Sequence, residues 1–112
     1  MKNCRALGRR NELRVKKYYE SQGFIVQLAP TSRKWQNNQD FFGLFDGVAL
    51  RSGGLLRWFQ CKTNRKPPLD VFADFAKKFV QTVEVVVVKP KGLAVVYVIE
   101  PIGTRYVTNV KI

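Results

Sequence analysis

The N-terminal segment has the spacing of apolar positions that is typical of an amphipathic helix. Residues 4–22 are rich in Arg, Lys, Leu and Glu, and Gly23 is a suitable helix stop. At about 100° per residue, Glu12 lies at the edge of the apolar arc, where the predicted core meets a basic surface. An acid at this boundary is a candidate functional residue. The arc that we expect to be buried comprises Cys4, Leu7, Gly8, Val15, Tyr18 and Tyr19.

Apolar segments that follow this helix predict β-strands. The first covers residues 24–28, and two more, at 44–51 and 55–62, flank the sequence Ser-Gly-Gly at 52–54. Glycine-rich sequences of this kind favour tight turns, so the two segments predict a β-hairpin. Between the first strand and the hairpin we expect a polar, basic loop.

The length of the hairpin loop decides which side chains face each other. A three-residue loop centred on Gly53 places Asp46 opposite Gln60. Gln60 then shares a sheet face with Lys62, because side chains alternate with period two. A two-residue loop instead opposes Asp46 to Cys61 and breaks this alignment.

The second half of the chain predicts one more helix and the rest of a sheet. Asp70 is a candidate cap for a helix over 71–82, in which phenylalanines recur at helical spacing. Valine-rich segments at 83–88 and 93–99 predict strands buried on both faces, and the tail at 105–112 predicts a last strand. This order of elements indicates an α/β fold in which helices flank a central mixed sheet.

The length and charge of the chain indicate the number of domains and the class of partner. The 112 residues predict a single domain, 1–112, and 46% of them are hydrophobic, which suffices for a core. Lys and Arg number 20 against 8 Asp and Glu, giving a formal net charge of +12. Such a charge favours a polyanionic partner, because it concentrates phosphate groups around the protein, and nucleic acid is the first candidate.

Residue types and segments that the sequence lacks exclude several classes of function. It contains no histidine, which excludes Ser-His-Asp and Cys-His catalysis and His-ligated zinc. Cys4 and Cys61 form no CxxC pair, so we expect neither a metal knuckle nor a disulfide framework. No stretch approaches the roughly 18 to 20 apolar residues of a membrane span, and the charged N-terminus is unlike a signal peptide. We therefore expect a soluble, unprocessed, cytoplasmic protein without membrane contact.

Four side chains are positioned by this pattern to form a site for chemistry. Asp46, Gln60 and Lys62 lie at one end of the predicted hairpin, and Glu12 of the first helix can join them. Carboxylate, amide and backbone oxygens are ligands that Mg²⁺ accepts, with water and a phosphate completing its octahedron. Lys62 would orient the attacking water or offset the charge that develops on the phosphate oxygens. The spacing therefore predicts a Mg²⁺ site for phosphodiester hydrolysis.

A longer pattern includes these four residues: Gly8, Glu12, Gly23-Phe24, Pro30 to Ser32, Asp46 and Gln60-Cys61-Lys62. The pattern resembles the PD-(D/E)xK nuclease superfamily, and within it the archaeal type of Holliday-junction resolvase and its virus- or phage-borne relatives. The resemblance covers residues 5–80 and agrees with the predicted order of elements. It implies a restriction-endonuclease-like core, Mg²⁺ with Mn²⁺ as a substitute, and a homodimer that cuts branched DNA.

The resemblance also assigns roles to individual residues. Asp46 becomes the metal-binding acid, Gln60 takes the place of the second acid, and Lys62 is the motif lysine. Glu12 is the helix-borne acid and would complete the metal ligands with Asp46 and Gln60. The chain differs from the family's motif at two positions. Phe45 stands where the family has a proline, and Gln60 offers an uncharged amide oxygen where the family has a carboxylate. The second departure predicts weaker metal binding or the loss of one metal.

Basic residues are clustered around this predicted site. Such clusters favour contacts to DNA phosphates, which give recognition of shape and a strong dependence on salt. Trp35 can stack on an unpaired base near a branch point, and Asp40 is a rival acid at the end of the same loop. The predicted DNA-binding residues are Arg5, Arg9, Arg10, Ser32, Arg33, Lys34, Trp35, Arg65 and Lys66.

The residues and the resemblance together predict a Mg²⁺-dependent endonuclease for branched DNA, with a four-way junction as the leading substrate and a two-fold symmetric homodimer. Two alternatives stay open. The same site could nick duplex or single-stranded DNA, or the chain could be a non-catalytic DNA-binding protein in which Gln60 marks a degraded site. An RNA-binding module is a minor option, because the strands lack its aromatic pattern.

Overall fold

The computed structural model describes residues 4–30 and 41–112. Its elements follow the predicted order of helix, strand, hairpin, helix and strands. The helices and strands are α1 (Cys4–Ser21), β1 (Ile25–Leu28), β2 (Gly47–Arg51), β3 (Leu55–Thr63), α2 (Asp70–Phe79), β4 (Thr82–Lys89), β5 (Leu93–Ile99) and β6 (Arg105–Lys111), with a 3₁₀ turn (Pro90–Gly92) between β4 and β5.

The strands of these two ranges form one six-stranded mixed sheet in the order of the sequence, β1-β2-β3-β4-β5-β6. Neighbouring strands are antiparallel except for β3 and β4, which run parallel. Parallel neighbours need a crossover connection, and α2 supplies it. The predicted α/β fold with helices around a mixed sheet is confirmed.

Each face of the sheet carries its own hydrophobic core. On one face Val15 and Tyr19 of α1 pack against Phe59 of β3. On the opposite face Phe72 and Ala76 of α2 pack against a second set of buried side chains. The two helices therefore lie on opposite sides of the sheet.

The valines of β4 contribute to both cores, because successive side chains of a strand point to opposite faces. Val86 and Val88 are buried on the α1 face, and Val83, Val85 and Val87 on the α2 face. The predicted burial of this strand on both faces is confirmed. In β5 buried and half-buried residues alternate instead, because the short helix α2 covers only part of its face.

The ends of α2 differ from the prediction. Leu69 occupies the N-cap position without a side-chain hydrogen bond, so Asp70 does not cap the helix but adds a carboxylate to its first turn. The helix ends at Phe79 rather than at Thr82, because Val80 adopts a left-handed conformation with φ of 54°. Thr82 already belongs to β4.

Two predicted strands begin later in the structure than in the prediction. The N–H of Phe24 donates to the carbonyl of Tyr19, 3.1 Å away, so Phe24 still closes the end of α1 and β1 starts at the next residue. Phe41 and Phe45 form an isolated bridge with a tight turn between them, which removes the segment 44–46 from β2.

The predicted C-terminal strand is present as β6. It pairs antiparallel with β5 along its whole length and forms one edge of the sheet, with most of its residues exposed. No helix in the described ranges is long and apolar enough to cross a lipid bilayer.

Candidate active site

The hairpin that carries most of the predicted site has the three-residue loop. Arg51 pairs with Leu55, which leaves three residues between the strands. Gly53 and Gly54 take φ values of 93° and 83° in this loop, a region of backbone conformation that glycine adopts without strain. The alternative with a two-residue loop is excluded.

This register brings Asp46 next to β3. Gly47 lies opposite Phe59, so Asp46, immediately before β2, is level with Gln60. Gly47 leaves room for this packing, because a Cβ atom on it would lie 2.4 Å from Cζ of the fully buried Phe59 ring. The glycine after Asp46 is thus required by space.

Asp46 is 8% exposed, and hydrogen bonds of both its side chain and its backbone hold it in place. Its Oδ2 accepts from the backbone N–H of Cys61 at 2.7 Å. Its own N–H donates to the Phe59 carbonyl at 2.9 Å, and its carbonyl accepts from the N–H of Ala29 at 2.7 Å. A carboxylate that accepts a backbone N–H in this way is fixed in orientation at the junction of β1, β2 and β3.

Gln60 and Lys62 lie on the α2 face of the sheet. Phe59 and Cys61 pack into the α1 core, so the alternate residues of β3 point the other way. Gln60 is 8% exposed, and within the described residues its Oε1 is buried without a hydrogen-bond partner. A cleft of about 280 Å³ contains both side chains and is lined by Gly43, Leu44, Gln60, Lys62, Pro67, Pro68, Val71 and Phe72.

Glu12 lies on α1, on the other side of the sheet, where Arg9 accompanies it. The Nη1 atom of Arg9 is 3.2 Å from Oε1 of Glu12. One of the predicted DNA-binding residues is therefore paired with one of the predicted metal ligands, and a phosphate or a cation entering here would compete with this ion pair.

A polar contact that the sequence analysis missed fixes α1 on β3. Asn11 is 3% exposed, and its Nδ2 donates to Oγ1 of Thr63 at 2.8 Å. Asn11 is adjacent to Glu12 in the chain, and Thr63 is adjacent to Lys62, so this bond sets how the two candidate residues are placed. The signal was the position of Asn11, which has helical spacing to Gly8 and Val15 on the predicted apolar arc.

The charges of three predicted site residues act on the Cys61 thiol. Burial raises the pKa of Cys61 to about 12, the carboxylates of Asp46 and Glu12 add smaller contributions, and Lys62 opposes the rise. The thiol therefore stays protonated at neutral pH and is not a nucleophile. Asp46, Glu12 and Lys62 are thus neighbours of the half-buried Cys61 side chain.

The oxygen donors of the candidate site are of the type that a hard divalent cation prefers. No group of three or more His, Cys, Asp or Glu side chains in residues 4–30 and 41–112 is arranged to hold a metal ion. The carboxylates of Asp46 and Glu12 are near Cys61, whereas the amide oxygen of Gln60 is buried on the α2 face of β3. Leaving a buried acceptor such as Gln60 Oε1 unpaired costs about 1–3 kcal/mol, which a bound cation would offset. Oxygen-only donors are typical of Mg²⁺ rather than of zinc.

The remaining predicted DNA contacts are only partly described. Arg10, Arg65 and Lys66 are exposed, and Nζ of Lys66 lies 5.5 Å from the centre of the Tyr97 ring, on the cleft side of the sheet. The side chain of Arg5 lies outside the described residues, as do Ser32, Arg33, Lys34, Trp35 and the rival acid Asp40.

Comparison with solved structures identifies the fold. The chain is similar to Hjc from Archaeoglobus fulgidus, a Holliday junction resolvase of an archaeal hyperthermophile, with a TM-score of 0.55 and 17% sequence identity over 93% of this chain and 83% of that one. The fold is therefore resolvase-like. No family model matches the chain, and the search of curated proteins finds no match. The resolvase-like fold agrees with the resemblance stated above for the sequence pattern.

Proposed function

We propose that this chain is a divalent-metal-dependent endonuclease that hydrolyses phosphodiester bonds in branched DNA. The observation that carries the proposal is Oε1 of Gln60, which is buried without a hydrogen-bond partner among the described residues. Gln60 is level with Asp46 across the strands and lies in one cleft with Lys62. A buried acceptor without a donor favours a cation as its partner. The resolvase-like fold supports the choice of DNA as substrate.

Each residue of the site has a separate task. Asp46 and Gln60 would hold the metal, with Glu12 approaching from the α1 side of the sheet. The metal would polarise the phosphodiester and lower the pKa of a bound water. Cys61 keeps the Asp46 carboxylate in place through its backbone N–H. Lys62, in the cleft with Gln60, offsets negative charge that develops on the phosphate oxygens.

Branched DNA as the substrate requires two cuts related by symmetry. A four-way junction has pairs of equivalent strands, so a homodimer with a two-fold axis places one site on each of two strands. The exposed Arg65 and Lys66, next to the cleft, would bind the DNA backbone. Contacts of this type recognise the shape of the junction rather than its sequence.

The test is cleavage of a labelled four-way junction and of a matched linear duplex with Mg²⁺, Mn²⁺ or EDTA. We expect paired cuts near the branch that require metal and are lost in Asp46→Asn and Lys62→Ala. Lys111→Ala, which removes an exposed cation from β6, should cleave like the wild type. If linear duplex is cleaved as efficiently as the junction, the substrate is duplex DNA and not specifically the junction. Cleavage that persists in both site variants would refute the assigned site.

A second candidate function is DNA binding without catalysis. It is favoured by the donor set, in which an uncharged amide stands with two carboxylates. Gln60→Glu separates the two functions, because a third carboxylate strengthens metal binding. In an enzyme this variant lowers the Mg²⁺ concentration needed for half-maximal cleavage. Absence of cleavage in both the wild type and Gln60→Glu, with tight DNA binding retained, would support the binding protein.

A further inference from the structure

The chain leaves β3 through a tight turn that separates two candidate functional segments. Lys62 lies just before the end of β3, and the exposed Arg65 and Lys66, which we call the basic pair, follow the strand. The N–H of Arg65 donates to the carbonyl of Thr63 at 2.8 Å, and Asn64 between them has a φ of 66°. A hydrogen bond of this span across a positive φ defines a γ-turn of the rare and strained form. We call it the Asn64 turn.

The residue type at the centre of this turn reduces the strain only in part. Asn enters the left-handed region more readily than most residues, because its short polar side chain can form local hydrogen bonds there. Glycine would adopt the same conformation at lower cost. Strained backbone of this kind persists only where the surrounding structure determines it. Contacts from outside the turn must therefore hold it.

Two hydrogen bonds from β4 provide these contacts. The N–H of Asn64 donates to the carbonyl of Val88 at 2.9 Å, which continues the parallel pairing of β3 with β4. The Nζ atom of Lys89 donates to the carbonyl of Asn64 at 2.6 Å. Both peptide groups of Asn64 are thus bonded to the same strand. A hydrogen bond from a charged donor is about twice as strong as one between neutral groups, so the bond from Lys89 is the stronger of the two.

Strand β4 places Lys89 on the side of the sheet where the cleft lies. Val87, two residues earlier, is buried in the core on the α2 face, so alternation puts Lys89 on the same face as Gln60 and Lys62. Lys89 is half-buried in this position. A lysine whose ammonium group bonds a backbone carbonyl here contributes to the shape of the candidate site as well as to its charge.

The Asn64 turn sets the direction in which the chain leaves the sheet. The Nζ atom of Lys66 lies 5.5 Å from the centre of the Tyr97 ring on β5. Since β4 lies between β3 and β5, the chain must turn toward β4 after Thr63 to bring Lys66 to this ring. The next two residues, Pro67 and Pro68, line the cleft. The turn therefore positions the basic pair and one wall of the cleft together.

We infer that Lys89 is a positioning residue for DNA binding, because its ammonium group holds the Asn64 turn and the turn directs Arg65 and Lys66 toward the phosphate backbone. The choice of DNA as ligand rests on the proposed function. Side chains and loops that are ordered only on binding reduce affinity, and a turn that is already held avoids this cost. Lys89 thus affects DNA affinity through the basic pair and not only through its own charge.

Binding of a labelled four-way junction in EDTA tests this role without cleavage. Lys89→Met removes the ammonium donor and keeps most of the side chain's length. Lys91→Met is the matched control, since Lys91 is exposed in the 3₁₀ turn and its loss changes the net charge equally. Lys89→Met should bind about fivefold more weakly than Lys91→Met, as is typical of coupling within one hydrogen-bond network. Lys89→Arg retains a charged donor and should recover most of the affinity.

A double-mutant cycle shows whether Lys89 acts through the basic pair. With Arg65→Ala and Lys66→Ala combined, the Asn64 turn has no cations to direct. Lys89→Met should then weaken binding no more than Lys91→Met does in the same background. If Lys89→Met remains the weaker binder there, Lys89 contacts DNA itself and the positioning role is wrong.

Amide hydrogen exchange in the absence of DNA examines the turn directly. The N–H groups of Asn64 and Arg65 donate the two backbone bonds of the turn, so Lys89→Met should raise their exchange rates. Lys91→Met should leave these rates unchanged. The amide of Val86, in the middle of β4, should stay protected in both variants, which shows that both are folded. Unchanged exchange at the turn in Lys89→Met would overturn the inference.

The outcomes distinguish this inference from the proposed function. A wild type without affinity for DNA would refute the proposed function and the role of the turn in binding, even if exchange shows that Lys89 holds the turn. A wild type that binds and cleaves the junction, with equal affinities in Lys89→Met and Lys91→Met, would refute the role of Lys89 alone.

Discussion

At the scale of single residues, the hydrogen bond between Asn11 and Thr63 is a contact that positions the candidate site through neighbouring residues. It joins α1 to β3 next to Glu12 and Lys62. Both partners act through their neighbours, so we regard them as positioning residues. A side chain of this kind can be replaced without loss of DNA contacts, which makes its contribution separable from binding.

We predict that Thr63→Val lowers kcat and leaves KM for DNA unchanged. Valine keeps the shape of threonine but leaves the amide of Asn11 unsatisfied in the core, which costs about 1–3 kcal/mol of unfolding free energy. Thr63→Ser retains the acceptor and should restore kcat. Cleavage kinetics and urea unfolding check these values, and equal kcat in the valine and serine variants would contradict a positioning role.

Only part of the candidate site could be predicted from the sequence. The period-two alternation on β3 predicts that Gln60 and Lys62 share a face, and the structure agrees. The fixed orientation of Asp46 through the N–H of Cys61 was not predictable, because it depends on the backbone departing from regular pairing just before Gly47. Burial of the Gln60 amide likewise follows from the packing of α2 and residues 67–68 over the sheet, which no local pattern contains.

At the scale of elements, the bounds of β5 were easier to predict than the start of β2 or the end of α2. The bounds of β5 agree with the prediction, because its apolar run ends sharply on both sides. The end of α2 does not, because residues 80–82 contain neither glycine nor proline and the left-handed Val80 gives no sequence signal. The chain must turn here to begin β4 parallel to β3, and this tertiary demand overrides local preference.

One buried network links three elements and makes stability depend on pH. The hydroxyl of Tyr19 on α1 donates to Oε1 of Glu84 on β4 at 2.6 Å. Nε of Arg57 on β3 lies 3.4 Å from Oε2 of the same carboxylate. Burial raises the pKa of Glu84 above its ordinary value, although Tyr19 and Arg57 oppose the rise. The folded chain therefore binds this proton more tightly than the unfolded chain does.

We predict that Glu84→Gln becomes more stable relative to the wild type as the pH rises. The raised pKa means that the contribution of Glu84 is fully present below its unfolded pKa and is lost as the pH rises through the folded pKa. Glutamine does not titrate and still accepts the Tyr19 hydrogen bond. Thermal unfolding of both proteins from pH 3.5 to 8 measures the difference, with Glu20→Gln as control for loss of a carboxylate. A difference that is independent of pH, or that changes in the opposite direction, would refute the argument.

At the scale of the whole molecule, two contributions to DNA binding have to be distinguished. The net charge of +12 attracts DNA in general, and individual cations near the cleft contact single phosphates. General attraction depends on the summed field, whereas each phosphate contact releases counterions and contributes about 0.9 to the slope of log K against log salt. Lys66, held against Tyr97 on the cleft side, is a candidate for such a contact. Lys111 on β6 carries the same charge at the edge of the sheet.

We therefore predict that Lys66→Ala lowers the salt slope of junction binding by about 1, and that Lys111→Ala leaves it almost unchanged. Both variants reduce the net charge by the same amount, so any difference between them reports the position of the cation. Fluorescence anisotropy of a labelled junction in EDTA, titrated with KCl, gives the slopes without cleavage. Equal slopes in the two variants would mean that only the total charge affects DNA binding. That result would contradict the assignment of the cleft as the place where the phosphate backbone binds.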